Sequence, residues 1–439
     1  MSRRRPSRSA RSTRRSWRRW PGRSAFPTSW SSRIRGARSR SRASVVPSGR
    51  RSRSRGRSSS PARSGRTCWP NAPATRLRPR AGGPPLALIR KKTGNFLEDF
   101  RLGQVFRHKG GRTLTEGLAA HFTDFSFTAN PLHKNLRYAR AYGYPSLPIP
   151  PGLVMAVAFS QTVEDVSENA RANLEYIDMR FGSAVYAGDT IETETTVLGV
   201  KSSASRPELG VVHVQSVARK QTGEIVLAYQ RKVQVFRHDP GAALDEGEVE
   251  AAHVDVELEL PAYDPNGGHS ELAHLSNADT YFEDFVPGDT IEHSRGRVMT
   301  DEHIFLTGML DNTSQVHCNQ TMIDRDPSRY LGGKLVVYGG IPFALCLGLS
   351  SPDISDNSLG DVVYRTGRHT APIFSGDTVF ASTEIVGKRD LEGRPDLGRL
   401  DVILRGHKFE RGGAEEKRVE IFYLERALAV KRRSHYSKG

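Results

Sequence analysis

Four short motifs occur twice in this sequence, in the same order and at a nearly constant distance. The paired segments are 96–100 and 281–285, 115–116 and 300–301, 165–169 and 353–357, and 187–190 and 375–378. The distance between the copies grows only from 185 to 188 residues, which small insertions explain. Ordered matches of this kind indicate an internal duplication, so the chain is predicted to contain one structural module twice.

Each copy predicts the same order of secondary structure. A helix at 116–123, matched at 301–309, precedes a polar loop with a histidine and then an apolar helix at 152–163, matched at 340–349. Alternating apolar residues predict strands at 190–198, 211–220 and 225–236, and at 378–386, 400–409 and 419–427. One apolar helix with antiparallel strands predicts an α+β module whose curved sheet surrounds a buried helix. The predicted modules are 91–238 and 277–439, joined by an acidic linker at 239–276.

Residues 1–90 are predicted to be a disordered tail. Residues 1–85 contain 25 arginines but no lysine or acid, so they carry +25; since the whole chain carries +17, the remainder carries −8. Such a segment buries too little apolar surface to offset the entropy of ordering it. Three interpretations are open: an arm that binds nucleic-acid phosphates, an organelle-targeting peptide, or GC-rich DNA translated from a mis-assigned start. The absence of lysine favours the third.

Several classes of function have no support in the sequence. Three cysteines exclude a disulfide framework and agree with a reducing, cytoplasmic location. The longest apolar run outside the tail, 152–159, is too short to span a membrane. The sequence lacks a P-loop, a HExxH zinc motif and a Gly-x-Ser-x-Gly elbow. We therefore expect no metal, no other cofactor, no membrane partner and, apart from the tail, no nucleic-acid partner.

The loop after the first helix carries a recognisable motif. Residues 126–133 read Ser-Phe-Thr-Ala-Asn-Pro-Leu-His, and the matching segment 310–317 reads Leu-Asp-Asn-Thr-Ser-Gln-Val-His. The first segment resembles the Ser-Gly-Asp-x-Asn-Pro-Leu-His signature of the MaoC-like (R)-specific enoyl-CoA hydratases, a hotdog-fold family. Thr128 and Asn312 stand where that family has its catalytic aspartate. With two copies, the chain resembles a double-hotdog member, and its layout is most similar to that of mesaconyl-CoA hydratases (β-methylmalyl-CoA dehydratases).

The resemblance implies a hydro-lyase that reversibly adds water to an enoyl-CoA thioester. A carboxylate and an imidazole on one water can supply the base and the acid, and a helix N-terminal N–H can bind the enolate oxygen. We therefore predict Asp311, His317 and Asn312 as catalytic residues, because a carboxylate there lies near the motif histidine. Asn130 and His133 are the alternative in the first copy.

The remaining predicted site residues would bind the substrate. Glycine lets a thioester approach the backbone at the start of each apolar helix, which predicts roles for Gly152 and Gly340. Fixed positive charges would bind the phosphates or a distal carboxylate of an acyl-CoA. The candidates for this role are Arg180, Arg368, Lys134 and Arg137, with the stretch 365–368 as the candidate partner of a distal carboxylate.

Two other functions remain open for this scaffold. A hotdog thioesterase would hydrolyse the thioester and release free CoA thiol. A non-catalytic acyl-CoA-binding protein would explain why both copies lack the aspartate at its usual position. In each case the expected partner is an acyl-CoA, and the family resemblance implies association into a homodimer.

Overall fold

A computed structural model describes residues 94–412 and 415–437. The predicted tail lies outside the described residues. The helices are α1 Glu116–Ser126, α2 Leu136–Ala141, α3 Pro151–Gln161, α4 His269–Leu272, α5 Glu302–Met309, α6 Gln320–Arg325, α7 Gly340–Ser350 and α8 Arg433–Tyr436. The strands are β1 Val105–Arg107, β2 Arg112–Thr113, β3 Ala170–Phe181, β4 Thr190–Ser202, β5 Leu209–Lys220, β6 Ile225–Phe236, β7 Gly247–Glu248, β8 Thr290–Val298, β9 Ser358–His369, β10 Thr378–Asp390, β11 Leu397–Gly412 and β12 Glu415–Lys431.

All twelve described strands belong to one antiparallel sheet, in which the two modules meet edge to edge. The strand order is β1-β4-β5-β6-β3-β9-β12-β11-β10-β8, and β2 and β7 also pair with β4. The modules join where β3 pairs with β9, which sets Tyr176 opposite Gly367 and Met179 opposite Tyr364. Each module thus contributes one half of a continuous sheet, and the predicted α+β architecture is confirmed.

Helices α3 and α7 are the buried helices of the two modules. Residues 152–160 of α3 are all buried, and α7 is buried at every position except Leu347. A helix that is apolar all round has no solvent-facing stripe and must be enclosed by protein. Pro151 begins α3 without losing a hydrogen bond, because the first N–H groups of a helix have no intrahelical acceptor.

The repeated Gly-Asp-Thr motifs form turns. Asp189 and Asp377 accept hydrogen bonds from the backbone N–H groups of Tyr186 and Phe374, each at 2.9 Å. The glycine before each aspartate has a φ near +100°, a conformation that residues with a Cβ rarely adopt. These motifs therefore fix how the chain enters β4 and β10, and they lie outside the cavities described below.

The repeated segments 165–169 and 353–357 anchor the ends of the buried helices to the sheet. Asp165 and Asp353 each contact Nδ1 of a buried histidine, His108 and His293, at 2.7 Å. Nε2 of each histidine contacts a threonine hydroxyl of the adjacent strand, at 2.7 Å in the first module and 2.8 Å in the second. The duplication thus preserves a structural Asp-His-Thr chain in both modules.

The sequence patterns missed β3 and β9, the two strands that join the modules. Charged residues in β3, among them Glu175, Asp178 and Arg180, interrupt the apolar alternation that identifies a strand. The segment 239–276, predicted to be a linker, also does more than connect the modules. Its β7 pairs with β4, and Leu258 and Leu260 line one of the cavities described below.

Replacing Gly348 by alanine is expected to destabilise the fold by about 2–4 kcal/mol. A Cβ at Gly348 of α7 would lie 1.7 Å from the backbone oxygen of Ser126, at the end of α1. Gly308→Ala is the matched control, because a Cβ there meets nothing within 4 Å, so alanine should stabilise α5 by about 0.5–1 kcal/mol. Urea unfolding followed by circular dichroism measures both, and equal effects of the two substitutions would contradict the packing argument.

Candidate active site

Two cavities, each with one motif histidine, lie at opposite ends of the buried helix pair. The His133 cavity, of about 100 Å³, is lined by the start of α3 and the end of α7. The His317 cavity, of about 290 Å³, is lined by the start of α7 and the end of α3. Gly152 lines the first and Phe159 the second, and seven helical residues span about 10 Å. The cavities are therefore distinct sites related by the duplication.

The loop that follows α1 and carries His133 is held by hydrogen bonds within the loop and to the second module. Phe127 ends α1 in the left-handed conformation, with a φ of 62°. Asn130 then accepts a hydrogen bond from the N–H of Leu132 at 2.9 Å and donates to the backbone oxygens of Ser355 and Ser358 in the second module. These bonds occupy the Asn130 side chain, which therefore positions the loop.

Both motif histidines are oriented by a backbone oxygen. Nδ1 of His133 lies 2.8 Å from the oxygen of Pro148, and Nδ1 of His317 lies 2.8 Å from the oxygen of Val336. Since a carbonyl oxygen can only accept, Nδ1 carries the proton and Nε2 of the neutral ring keeps its lone pair. Each cavity therefore contains an imidazole whose Nε2 can accept a proton.

Burial keeps both histidines neutral at physiological pH. It lowers the pKa of His133, and it lowers the pKa of His317 to about 4. The hydrogen bonds to the backbone oxygens oppose this shift but are the smaller cause. A neutral imidazole is the form that acts as a general base.

Acid is expected to destabilise the fold through His317. The unfolded chain binds a proton there below a pH of about 6.5, whereas the folded chain binds it only near pH 4. Stability from the neutral ring is therefore present above pH 6.5 and is lost as the pH falls toward 4. Between pH 6.5 and pH 5 this loss is about 2 kcal/mol. Urea unfolding at pH 7 and pH 5 measures how much of the free energy of unfolding is lost on acidification. This loss should be about 2 kcal/mol smaller in His317→Asn than in the wild type, and equal losses would contradict the lowered pKa of His317.

A carboxylate from the second module lines the His133 cavity. Asp361 of β9 accepts a hydrogen bond from Nε of Arg426 at 2.5 Å and another from the hydroxyl of Tyr364 at 2.9 Å. Both charged side chains are 6% exposed. The charge of Asp361 raises the His133 pKa and that of Arg426 lowers it, although burial remains the largest cause of the net decrease. The His133 site is thus composite, with its imidazole and its carboxylate from different modules.

Gly152 completes the His133 cavity with a backbone donor. It is the second residue of α3, so its N–H has no acceptor within the helix. In the other module the equivalent residue, Gly340, does not line the His317 cavity, and a Cβ there would lie 2.6 Å from the ring of Tyr338. The Tyr338 ring therefore covers Gly340, and the glycine that lines the His317 cavity is Gly339, the N-cap of α7.

The predicted pairing of Asp311 with His317 is not formed. Asp311 has a φ of 67°, does not line the His317 cavity, and lies 3.6 Å from Nη1 of Arg112 instead. The left-handed backbone at this position turns the chain between α5 and the motif loop, which directs the side chain away. Asn312 does line the cavity, but its oxygen accepts a hydrogen bond from the N–H of Ser314 at 2.9 Å. No carboxylate is among the described residues that line this cavity.

None of the predicted cationic residues lines either cavity. Arg180 pairs with Asp178 at 2.9 Å, and the guanidinium of Arg368 lies 4.2 Å from the ring centre of Tyr423. Lys134 is exposed. The exposed Arg137 lies 3.4 Å from Glu271. The cationic residues predicted from the sequence thus lie on the surface, and the buried arginines of the two cavities were not predicted.

The functional residues that the sequence missed occupy equivalent positions in the two modules. Asp361 and Arg426 of the His133 cavity correspond to Asn173 and Arg231 of the His317 cavity, since β9 matches β3 and β12 matches β6. An arginine inside an apolar strand of each copy was a usable signal. This signal could not be interpreted without knowing that the strands of each module line the cavity that contains the histidine of the other module.

Among the described residues, no helix is long and apolar enough to cross a membrane. Within the same part of the chain, no group of three or more histidine, cysteine, aspartate or glutamate residues is arranged to hold a metal ion.

Comparison with known proteins adds the family. A family model described as mesaconyl-CoA hydratase matches residues 87–409. The β-methylmalyl-CoA dehydratase of Chloroflexus aurantiacus is 37% identical over 313 residues, which cover 70% of this chain and 87% of that protein. The mesaconyl-CoA hydratase of Cereibacter sphaeroides is 31% identical over 326 residues, which cover 72% of this chain and 90% of that protein.

Solved structures agree with the fold. A MaoC domain protein dehydratase from Chloroflexus aurantiacus superposes with a TM-score of 0.67 at 32% identity, covering 77% of this chain and 98% of that one. A Mycobacterium tuberculosis protein described as having a double hotdog fold superposes with a TM-score of 0.62 at 22% identity, covering 76% and 98%. The chain therefore has the double-hotdog fold and belongs to the mesaconyl-CoA hydratase family of hydro-lyases.

Proposed function

We propose that this hydro-lyase adds water reversibly to mesaconyl-CoA, giving β-methylmalyl-CoA, and that the reaction takes place in the His133 cavity. The relatives named above act on these thioesters, which supports the substrate. One observation carries the choice of site: the His133 cavity contains a neutral imidazole, a buried carboxylate and a helix N-terminal N–H together.

These groups match the requirements of hydration. A water molecule lies between Nε2 of His133 and the carboxylate of Asp361. As its oxygen attacks Cβ of the enoyl group, His133 accepts the proton, and the electron pair of the double bond moves to the thioester oxygen. The N–H of Gly152 stabilises that oxygen, where negative charge develops. The proton then returns from His133 to Cα, so that one water has been added across the double bond.

The surroundings of the cavity fit an anionic, branched acyl group. Arg426 balances the charge of Asp361, and the other carboxylate of the lining, Glu259, is exposed, so solvent screens its charge from a carboxylate on the substrate. Apolar side chains from both modules and from the segment 239–276 form much of the wall, together with polar residues such as Thr128, Ser183 and Ser351. The apolar residues include Phe122, Ile149, Phe181, Val226 and Leu258.

The test offers mesaconyl-CoA and crotonyl-CoA to the full chain and follows the loss of enoyl-thioester absorbance. We expect mesaconyl-CoA to be hydrated with the higher kcat/KM. A thiol reagent run in parallel distinguishes the thioesterase, which would release free CoA steadily. Binding of both esters without loss of absorbance would identify an acyl-CoA-binding protein, and either result would overturn the proposal.

A further inference from the structure

The His317 cavity contains a buried positive charge that forms no ion pair with any described residue. Arg231 is 0% exposed, and its Nε and Nη1 are buried with no hydrogen-bond partner among the described residues. Only Nη2 is bonded, to the hydroxyl of Thr162 at 2.6 Å and to that of Ser167 at 3.5 Å. The guanidinium also lies 4.3 Å from the ring centre of Phe159. An isolated buried ion is costly, so this arrangement indicates an absent anionic partner.

The duplication shows what kind of partner is absent. In the His133 cavity the equivalent arginine, Arg426, binds the carboxylate of Asp361. In the His317 cavity, Asn173 stands in place of that aspartate, and both polar atoms of its amide are also buried without a partner. The cavity therefore keeps the arginine of a carboxylate pair and lacks the carboxylate.

We propose that the His317 cavity binds the carboxylate of a ligand, with Arg231 as the cation and Asn173 as a second polar contact. The unpartnered Nε and Nη1 leave N–H donors of the guanidinium available to the oxygens of a carboxylate. The remainder of the lining combines aliphatic and aromatic side chains with polar ones, among them Arg171, His317 and His369, and the volume of 290 Å³ limits the ligand to a short carboxylate. It can be a free acid or the carboxylate end of an acyl-CoA.

This site is separate from the proposed hydration site, since the two cavities lie at opposite ends of α3. The proposal does not depend on which cavity performs the chemistry. It also explains why neither Arg365 nor Arg368 is needed for a distal carboxylate: both are exposed on the sheet.

The test compares the full wild-type chain with Arg231→Met. The probe for a free acid is mesaconate, measured by isothermal titration calorimetry and by the shift in Tm. The probe for the acyl-CoA source is the ratio of kcat/KM for mesaconyl-CoA to that for crotonyl-CoA, which has no carboxylate. We expect Arg231→Met to weaken mesaconate binding, or to lower this ratio, about 10- to 100-fold. Arg180→Met, which removes an exposed arginine, is the charge-matched control and should change neither quantity.

The outcomes separate the two sources. Loss of mesaconate binding with an unchanged ratio identifies a free acid. A lowered ratio identifies the substrate's own carboxylate, and since that carboxylate is bonded to Cβ, this result would also move the hydration from the His133 cavity to the His317 cavity. Because Arg231→Met removes an unpaired buried charge, its Tm without ligand should equal or exceed that of the wild type. Arg231→Lys keeps the charge but lacks the planar guanidinium and its several N–H donors. It should therefore bind mesaconate more weakly than the wild type, and this holds even if the methionine variant does not fold. Equal binding and an equal ratio in the wild type and the Arg231 variants would overturn the proposal, whether or not the chain hydrates mesaconyl-CoA.

Discussion

Replacing His133 by alanine is expected to lower kcat for the hydration of mesaconyl-CoA about 10²- to 10⁴-fold, the usual contribution of a general acid–base group. Among the described residues that line its cavity, the imidazole is the only group held neutral with an available nitrogen lone pair, because Nδ1 donates to Pro148 and burial lowers the pKa. Without it, neither removal of a proton from water nor its return to Cα has a positioned partner. Steady-state rates from the enoyl absorbance measure the effect.

His317→Ala is the matched control for this experiment. His317 has the same backbone anchor and lies at the same place in its loop, but none of the described residues that line its cavity is a carboxylate, and Tyr338 covers Gly340. We expect its kcat to stay within about tenfold of the wild-type value, since it removes neither the base nor the oxyanion donor proposed for catalysis. Loss of activity in His317→Ala alone would move the reaction to the larger cavity.

Replacing Asp361 by asparagine is expected to lower kcat about 10²-fold or more, although the position belongs to the other module. The substitution keeps the shape of the side chain but removes the charge that holds water opposite His133 and offsets Arg426. It should also lower the free energy of unfolding by several kcal/mol, because breaking one side of a buried ion pair leaves the other charge uncompensated. The chain itself indicates that such a variant folds, since Asn173 and Arg231 form that combination in the equivalent place.

Asp311→Asn, measured in the same assays, distinguishes whether Asp311 or Asp361 takes part in the reaction. Asp311 is the acid that the sequence favoured, and its side chain is 38% exposed and lies near Arg112. Removing such a surface charge should change the free energy of unfolding by less than about 1 kcal/mol and leave kcat close to the wild-type value. A large loss of activity in Asp311→Asn together with a small loss in Asp361→Asn would contradict the composite site. Circular dichroism at the assay temperature confirms that each variant is folded.

Local patterns in the sequence were sufficient for the architecture of the modules. The repeated turn motifs, the apolar helices α3 and α7 and six of the long strands depend on nearby residues, so they could be predicted. The strands β3 and β9 were missed because exposed charged residues, such as Asp178 and Arg180 in β3 and Arg365 and Arg368 in β9, interrupt the apolar alternation. The register between these strands depends on partners nearly 190 residues apart, and no local pattern encodes it.

The candidate active site also has a part that the local sequence determines and a part that depends on tertiary packing. The sequence by itself determined that a duplicated hotdog chain places one histidine in a polar loop before each buried helix, because the motif and the helix are contiguous. Only the tertiary structure decided that the carboxylate beside His133 is Asp361, 228 residues further along the chain. The adjacent Asp311 is turned away by a left-handed backbone angle, whereas β9 pairs with β3 and brings Asp361 to the opposite module. Charge pairing across a sheet depends on which strands meet, and that is settled by packing the two modules together.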